Sequence, residues 1–270
     1  MQPLILCWLT VPKATPLQLL ETAASAGFAS VGMRILEAGE PDTAFVGGGG
    51  ESAALVKRAA DDLGVTIFRT AGFRIDGRYT PDRFRPYIEA TAELGAEYIS
   101  IIATDQDEQR RHESFGSICE EAAACGLRIS VEFTPFSAVK TIFDCYELLV
   151  KAGRPDSAIL LDALHLYRSG GKANDVLGIP QERLAVAQLC DARVNTPKEA
   201  DLLWEARNDR FDVGKGKLPL RDFMSVLPHS IPLEVETPCL LERDLPVIDR
   251  ARNAARITRE FLADYSEMKE

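Results

Sequence analysis

Several common signatures are missing from this 270-residue chain. The six cysteines (Cys7, Cys119, Cys125, Cys145, Cys190, Cys239) are scattered and include no CxxC pair. They read as reduced, buried thiols rather than a disulfide framework. No dense block of Lys or Arg occurs, and the net charge is −10 with a pI near 5.0. A nucleic-acid partner, which needs a basic stripe, is thereby disfavoured. No apolar run approaches the roughly 18 residues of a membrane span. Met1 to Leu9 lacks the charged start and cleavage site of an export signal. A cytoplasmic protein with no membrane partner is expected. There is no G-x-S-x-G, and no cysteine lies near a histidine in sequence, so nucleophilic triads are not indicated. Gly214-Lys215-Gly216-Lys217 is glycine-rich but lacks the spacing of a phosphate loop.

What is present is regular. Hydrophobic content is 46% and charged content 27%, ordinary for a globular chain. Eight short apolar, β-rich runs recur: Leu4–Leu9, Phe28–Met33, Val65–Phe68, Tyr98–Ile102, Leu127–Phe133, Ala158–Leu161, Leu184–Leu189 and Ile231–Val235. Amphipathic segments lie between them at Pro16–Ala26, Ser52–Leu63, Pro81–Leu94, Phe115–Cys125 and Val139–Ala152, and a last one covers Leu245–Tyr265. The first five are each followed at once by glycine, a helix stop. Helix, glycine, strand, repeated, is the grammar of parallel βα units. Eight such units predict a single-domain (β/α)8 TIM barrel over residues 1–270. An open doubly wound sheet is the runner-up, disfavoured because no GxGxxG follows an early strand. Gly47–Gly50 then falls in a flexible loop at the barrel mouth rather than at a domain boundary.

Four apolar runs end in an acid or amide: ISVE at Glu132, AILLD at Asp162, AVAQ at Gln188 and LEVE at Glu236. In this barrel class catalytic groups sit at the C-terminal ends of strands. Carboxylates gathered in one cleft repel each other, and a hard divalent cation is the usual counter-charge. Glu234 and Glu236 are two apart, so both face the same side of a strand. Glu236 is nearer the mouth and the better ligand; Glu234 reads as the partner of an inward arginine. Gln188 is either a neutral oxygen ligand or a buried hydrogen-bonding amide. His165 follows Asp162 by three residues and can share its pocket. Arg34 and Arg69 end the second and third runs, and Arg74, Arg207 and Arg210 fall in predicted mouth loops. Several guanidinium groups together suit an anionic or polyhydroxylated substrate.

The chain resembles the xylose isomerase-like TIM-barrel superfamily of sugar phosphate isomerases and epimerases along almost its whole length. The resemblance is carried by Leu161-Asp162-Ala163-Leu164-His165 with Arg168-Ser169-Gly170-Gly171, by Glu205-Ala206-Arg207 with Asp209-Arg210, by Gly214-Lys215-Gly216-Lys217-Leu218-Pro219-Leu220, and by Val131-Glu132-Phe133 and Val235-Glu236-Thr237-Pro238. It implies one divalent metal ion (Mn, Mg, Co or Zn) held by Glu132, Asp162, Gln188 and Glu236. Glu132 and Glu236 would double as the acid/base pair, with His165 on the substrate. Many members carry histidine on the seventh strand. The branch with glutamine there includes proteins similar to bacterial 3-dehydroshikimate dehydratases. Trp8 stands where close relatives commonly have histidine, next to the expected substrate. The acidic third-strand end and the acidic late loop of those relatives are replaced by Arg69 and Lys215, which tilts the substrate toward an anion. The related endonuclease IV branch needs a histidine-rich three-zinc site, which three histidines cannot supply.

The expected activity is a metal-dependent isomerase or epimerase. It would act on a keto-sugar or related polyhydroxylated substrate through an enediolate. Dehydration of the 3-dehydroshikimate type is the alternative, and a non-catalytic binding barrel is a third reading. Catalytic roles fall to Glu132, Glu236 and His165. Substrate contacts fall to Trp8, Arg34, Arg69, Arg207 and Arg210. The expected partner is a small molecule, and a homo-oligomer is left open.

Overall fold

The computed structural model describes residues 3–35 and 52–268. The predicted loop at Gly47–Gly50 lies outside these residues. Eight parallel strands close into one barrel in the order of the chain. They are β1 Leu4–Cys7, β2 Ser30–Arg34, β3 Thr66–Ile75, β4 Tyr98–Ala103, β5 Arg128–Glu132, β6 Ala158–Asp162, β7 Leu184–Leu189 and β8 Leu233–Val235. Closure is made by β1 on β8, with Leu4 opposite Leu233 and Leu6 opposite Val235. The predicted barrel is therefore the observed fold.

The helices are α1 Pro16–Ala26, α2 Ala53–Leu63, α3 Pro81–Glu93, α4 Glu108–Ala124, α5 Ile142–Lys151, α6 Ala163–Arg168, α7 Glu199–Asn208, α8 Leu220–Val226 and α9 Val247–Glu267. Local chemistry starts them where the chain requires. Thr15 and Gln18 form a reciprocal capping box on α1, and Thr141 and Asp144 do the same on α5. Apolar faces of these helices join the outward residues of the strands in the main core, which includes Leu20, Val56, Ile88, Phe115, Leu149 and Ala254. Inside the barrel floor, Ile5, Tyr98, Ala158, Leu160 and Val186 form a separate apolar plug with Phe68 against it. Filled layers of this kind make the interior a packed core and leave the mouth for chemistry.

Three departures from the sequence reading bear on the site. β3 runs to Ile75 rather than stopping at Phe68, so Arg69 lies within a strand and Arg74 is a strand residue. The charge of Arg69 mimics a strand end, yet its side chain is only 2% exposed. Helices α6, α7 and α8 occupy stretches with no predicted element. Arg207 belongs to α7 rather than to a loop, and Arg210 is on the coil after that helix but buried.

Candidate metal and acid–base centre

Strand register sets the height of each side chain. Asp162 on β6 lies opposite Gln188 on β7, and Gln188 lies opposite Glu234 on β8. Glu236 stands two residues further along, just past β8. Asp162 also caps α6, because its Oδ1 accepts the His165 backbone N–H at 3.0 Å. That cap is the physical content of the three-residue spacing: His165 enters the helix on its first turn and turns back toward the strand ends. Its Nε2 comes 3.4 Å from Glu132 Oε1. Glu132, Asp162 and His165 each offer a ligand atom within 4.8 Å of the others. Phe136 covers the imidazole edge-on at 5.5 Å between ring centroids.

Two layers are distinguishable. In the lower one, Arg69 Nε donates to Glu234 Oε1 and Oε2 at 3.1 and 2.8 Å, and its Nη2 lies 2.8 Å from Oε2. Gln188 Nε2 donates to the same Glu234 Oε2 at 2.9 Å. Burial opposes the Arg69 charge, but the Glu234 carboxylate in contact keeps it protonated well above its ordinary range. Glu234 thus has the arginine partner expected of it.

The upper layer is less satisfied. Gln188 Oε1, Glu236 Oε2 and His165 Nδ1 are buried without a hydrogen-bond partner. Arg210 brings a cation to this layer. Its Nη1 lies 2.6 Å from Asp162 Oδ2 and 3.8 Å from Glu236 Oε2. Its Nε donates to the Ala206 carbonyl of α7 at 2.7 Å. Burial works against the Asp162 charge, but Arg210 and His165 outweigh it and hold that carboxyl below its usual range. Glu236 is treated oppositely. Burial, then Glu132 and Asp162 nearby, push its carboxyl up to about 8 despite Arg210. Two orphaned oxygens and one carboxyl that resists ionisation are what an oxygen-ligated divalent cation would relieve. Among the described His, Cys, Asp and Glu residues, the ones that converge within one ion's reach are Glu132, Asp162 and His165, and the unpartnered Gln188 Oε1 and Glu236 Oε2 belong to the same layer.

The other predicted residues are dispersed. Trp8 is half-buried on a short turn after β1, and the Arg34 guanidinium lies 4.8 Å from its ring centroid. Arg207 lines a separate cavity of ≈ 140 Å³ with Trp204, Pro238 and Arg250. Arg69 and Arg210 are each committed to carboxylates inside the barrel. Arg168, which carried no predicted role, donates from Nε and Nη2 to Glu205 at 2.8 Å each. It thereby ties α6, which carries His165, to α7, whose Ala206 carbonyl holds Arg210. The Asp-x-x-His-x-x-Arg spacing on one short helix was the available signal. The Gly214–Lys217 stretch is a brace: Asp191 accepts backbone N–H groups of Ala192, Gly216 and Leu218 at 2.8–2.9 Å. A Cβ on Gly216 would lie 2.4 Å from both Asp191 Oδ1 and the Ala192 carbonyl, so the motif serves a close chain approach.

Comparison with known proteins agrees with this fold. A family model described as a xylose isomerase-like TIM barrel matches residues 20–264. A 3-dehydroshikimate dehydratase of Pseudomonas putida is 26% identical over 219 residues, 76% of this chain. The chain spans 33% of that relative's length. Among solved structures, a xylose isomerase-like TIM barrel/4-hydroxyphenylpyruvate dioxygenase fusion protein superposes with a TM-score of 0.79 at 23% identity, covering 95% of this chain and 42% of its own. The IOLI protein, solved with a binding zinc atom, gives 0.80 at 15% identity, with 98% and 99% covered.

Proposed function

The chain belongs to the xylose isomerase-like TIM-barrel family, and from that premise we propose that it is a divalent-metal-dependent enzyme that removes a proton next to a carbonyl. The orphaned Gln188 and Glu236 oxygens, facing Glu132 and Asp162, are the observation that carries the reading. When bound, the ion supplies Lewis acidity toward a substrate oxygen that gains negative charge. Glu132 takes the proton, and His165 Nε2, 3.4 Å away, receives it or returns it to a leaving oxygen. Glu236, just past β8, serves a second face of the substrate. Arg210 stays charged and hydrogen-bonded to Asp162, which keeps the cluster assembled. Positioned acid–base groups of this kind contribute roughly 10²–10⁴-fold.

The outcome best supported is loss of water from a cyclic hydroxy-keto acid of the 3-dehydroshikimate type. It rests on the glutamine at position 188 and on the dehydratase relative. Epimerisation or isomerisation of a keto-sugar is the second reading. It is favoured by the presence of two carboxylates, Glu132 at the end of β5 and Glu236 just past β8. Protein loaded with Mg²⁺ or Mn²⁺ and given 3-dehydroshikimate should build up protocatechuate absorbance, and Glu132→Gln should lower kcat by about 10²-fold or more. Deuterium exchange into a ketose without loss of water would instead establish epimerisation. A purified protein that neither contains nor binds a divalent ion would overturn both. A cytoplasmic site of action is part of the proposal; among the described residues no helix is long and apolar enough to cross a membrane.

A further inference from the structure

We infer that Arg69, Glu234 and Gly32 are positioning residues of the metal centre: they orient the Gln188 amide so that its oxygen, not its nitrogen, faces the ion. A glutamine side chain is nearly symmetric in shape, and only its hydrogen bonds decide which end points where. Here Nε2 is drawn down by Glu234 Oε2 at 2.9 Å, and Oε1 is left buried and unpartnered in the upper layer. Both Glu234 oxygens are already accepting, from Arg69 Nε and, at Oε2, from Gln188 Nε2, so the amide meets Glu234 with its N–H end. Arg69 is steadied in turn by Cys7, whose Sγ accepts from Nη2 at 3.6 Å. Register explains how distant strands meet: Cys7 is opposite Gly32, and Gly32 is opposite Arg69. A Cβ at Gly32 would lie 1.9 Å from Glu234 Oε1 and 3.3 Å from Arg69 Nε. Only glycine leaves room for the carboxylate at that spot. A carboxylate ligand needs no such device, because its two oxygens are equivalent. The lower layer is therefore the condition that makes a neutral amide serviceable as a ligand.

This reading makes Arg69 a support of the ion rather than a substrate contact, and it rests on the metal-centre proposal above. The experiment is isothermal titration of metal-free protein with Mn²⁺. Wild type should bind; if it does not, the metal centre itself fails and the positioning role is lost with it. Gly32→Ala, which alters no charge, should weaken binding by about 10–100-fold, the usual cost of disturbing a group that orients a ligand. Removing Glu234 alone strands a buried arginine and threatens folding, so the pair is removed together as Arg69→Met/Glu234→Met. In that background Gln188→Glu should recover at least tenfold in affinity, because a carboxylate needs no orientation. In the wild-type background the same change sets two carboxylates against each other and should give no such gain. Wild-type Mn²⁺ affinity in Gly32→Ala, or equal effects of Gln188→Glu in both backgrounds, would overturn the positioning role while leaving the metal centre standing.

Discussion

Glu234 and Glu236 stand two residues apart near one strand end, yet they live in different electrostatic worlds. The lower carboxylate touches a guanidinium and an amide N–H and has no exposed surface. The upper one keeps an oxygen with no hydrogen bond and faces two other acids. The contrast separates two uses of buried charge. A layer whose polar atoms are satisfied holds geometry, whereas a layer left unsatisfied is ready to take up something else. Sequence spacing puts both glutamates on one side of a strand; their partners make Glu234 a brace and leave a Glu236 oxygen without a hydrogen bond.

Breaking the lower layer should give the largest effect. Glu234→Ala leaves Arg69 buried and uncompensated, and such losses cost about 3–5 kcal/mol; the midpoint of urea unfolding should drop accordingly. Glu236→Gln sharpens the comparison, since it removes a crowded acid from the metal-free protein. Its unfolding midpoint without metal should not fall below that of wild type. The stabilisation by added divalent ion, about 2.7 kcal/mol at one hundred times the dissociation constant, should disappear in the same variant. The smallest effect belongs to the rim. Arg34→Ala, which removes the cation over Trp8, should leave stability within about 0.5 kcal/mol. If Arg34 meets an anionic substrate, KM should rise with kcat little changed.

The fold was legible because a parallel barrel repeats one local signal eight times: glycine stops, then short apolar runs. Glu132, Asp162 and Gln188 stood out because each follows a short apolar run, whereas Glu236 follows Glu234 by two and was separated from it by its height along the strand. Arg69 was not placed correctly, because local pattern treats a charge as the end of burial. Inside this barrel a charge is buried when a second strand brings its counter-charge, and Glu234 lies 165 residues away. Arg210 was missed as an interior residue on the same grounds: its counter-charge, Asp162, lies 48 residues away. The short helix α6 escaped notice because six residues hold too little periodicity to register.

The bare backbone at Gly32 has a consequence for anyone who would move this centre to another barrel. Gln188 is not a portable part. Grafted alone into a host whose second strand carries any side chain at that height, its amide would be free to turn over, and the transplanted cage would bind its ion more weakly because the ion alone would have to fix the oxygen. The smallest unit that can be transferred is a slice through β2, β3, β7 and β8, so a change of ligand type in barrels of this design requires several substitutions at once rather than one.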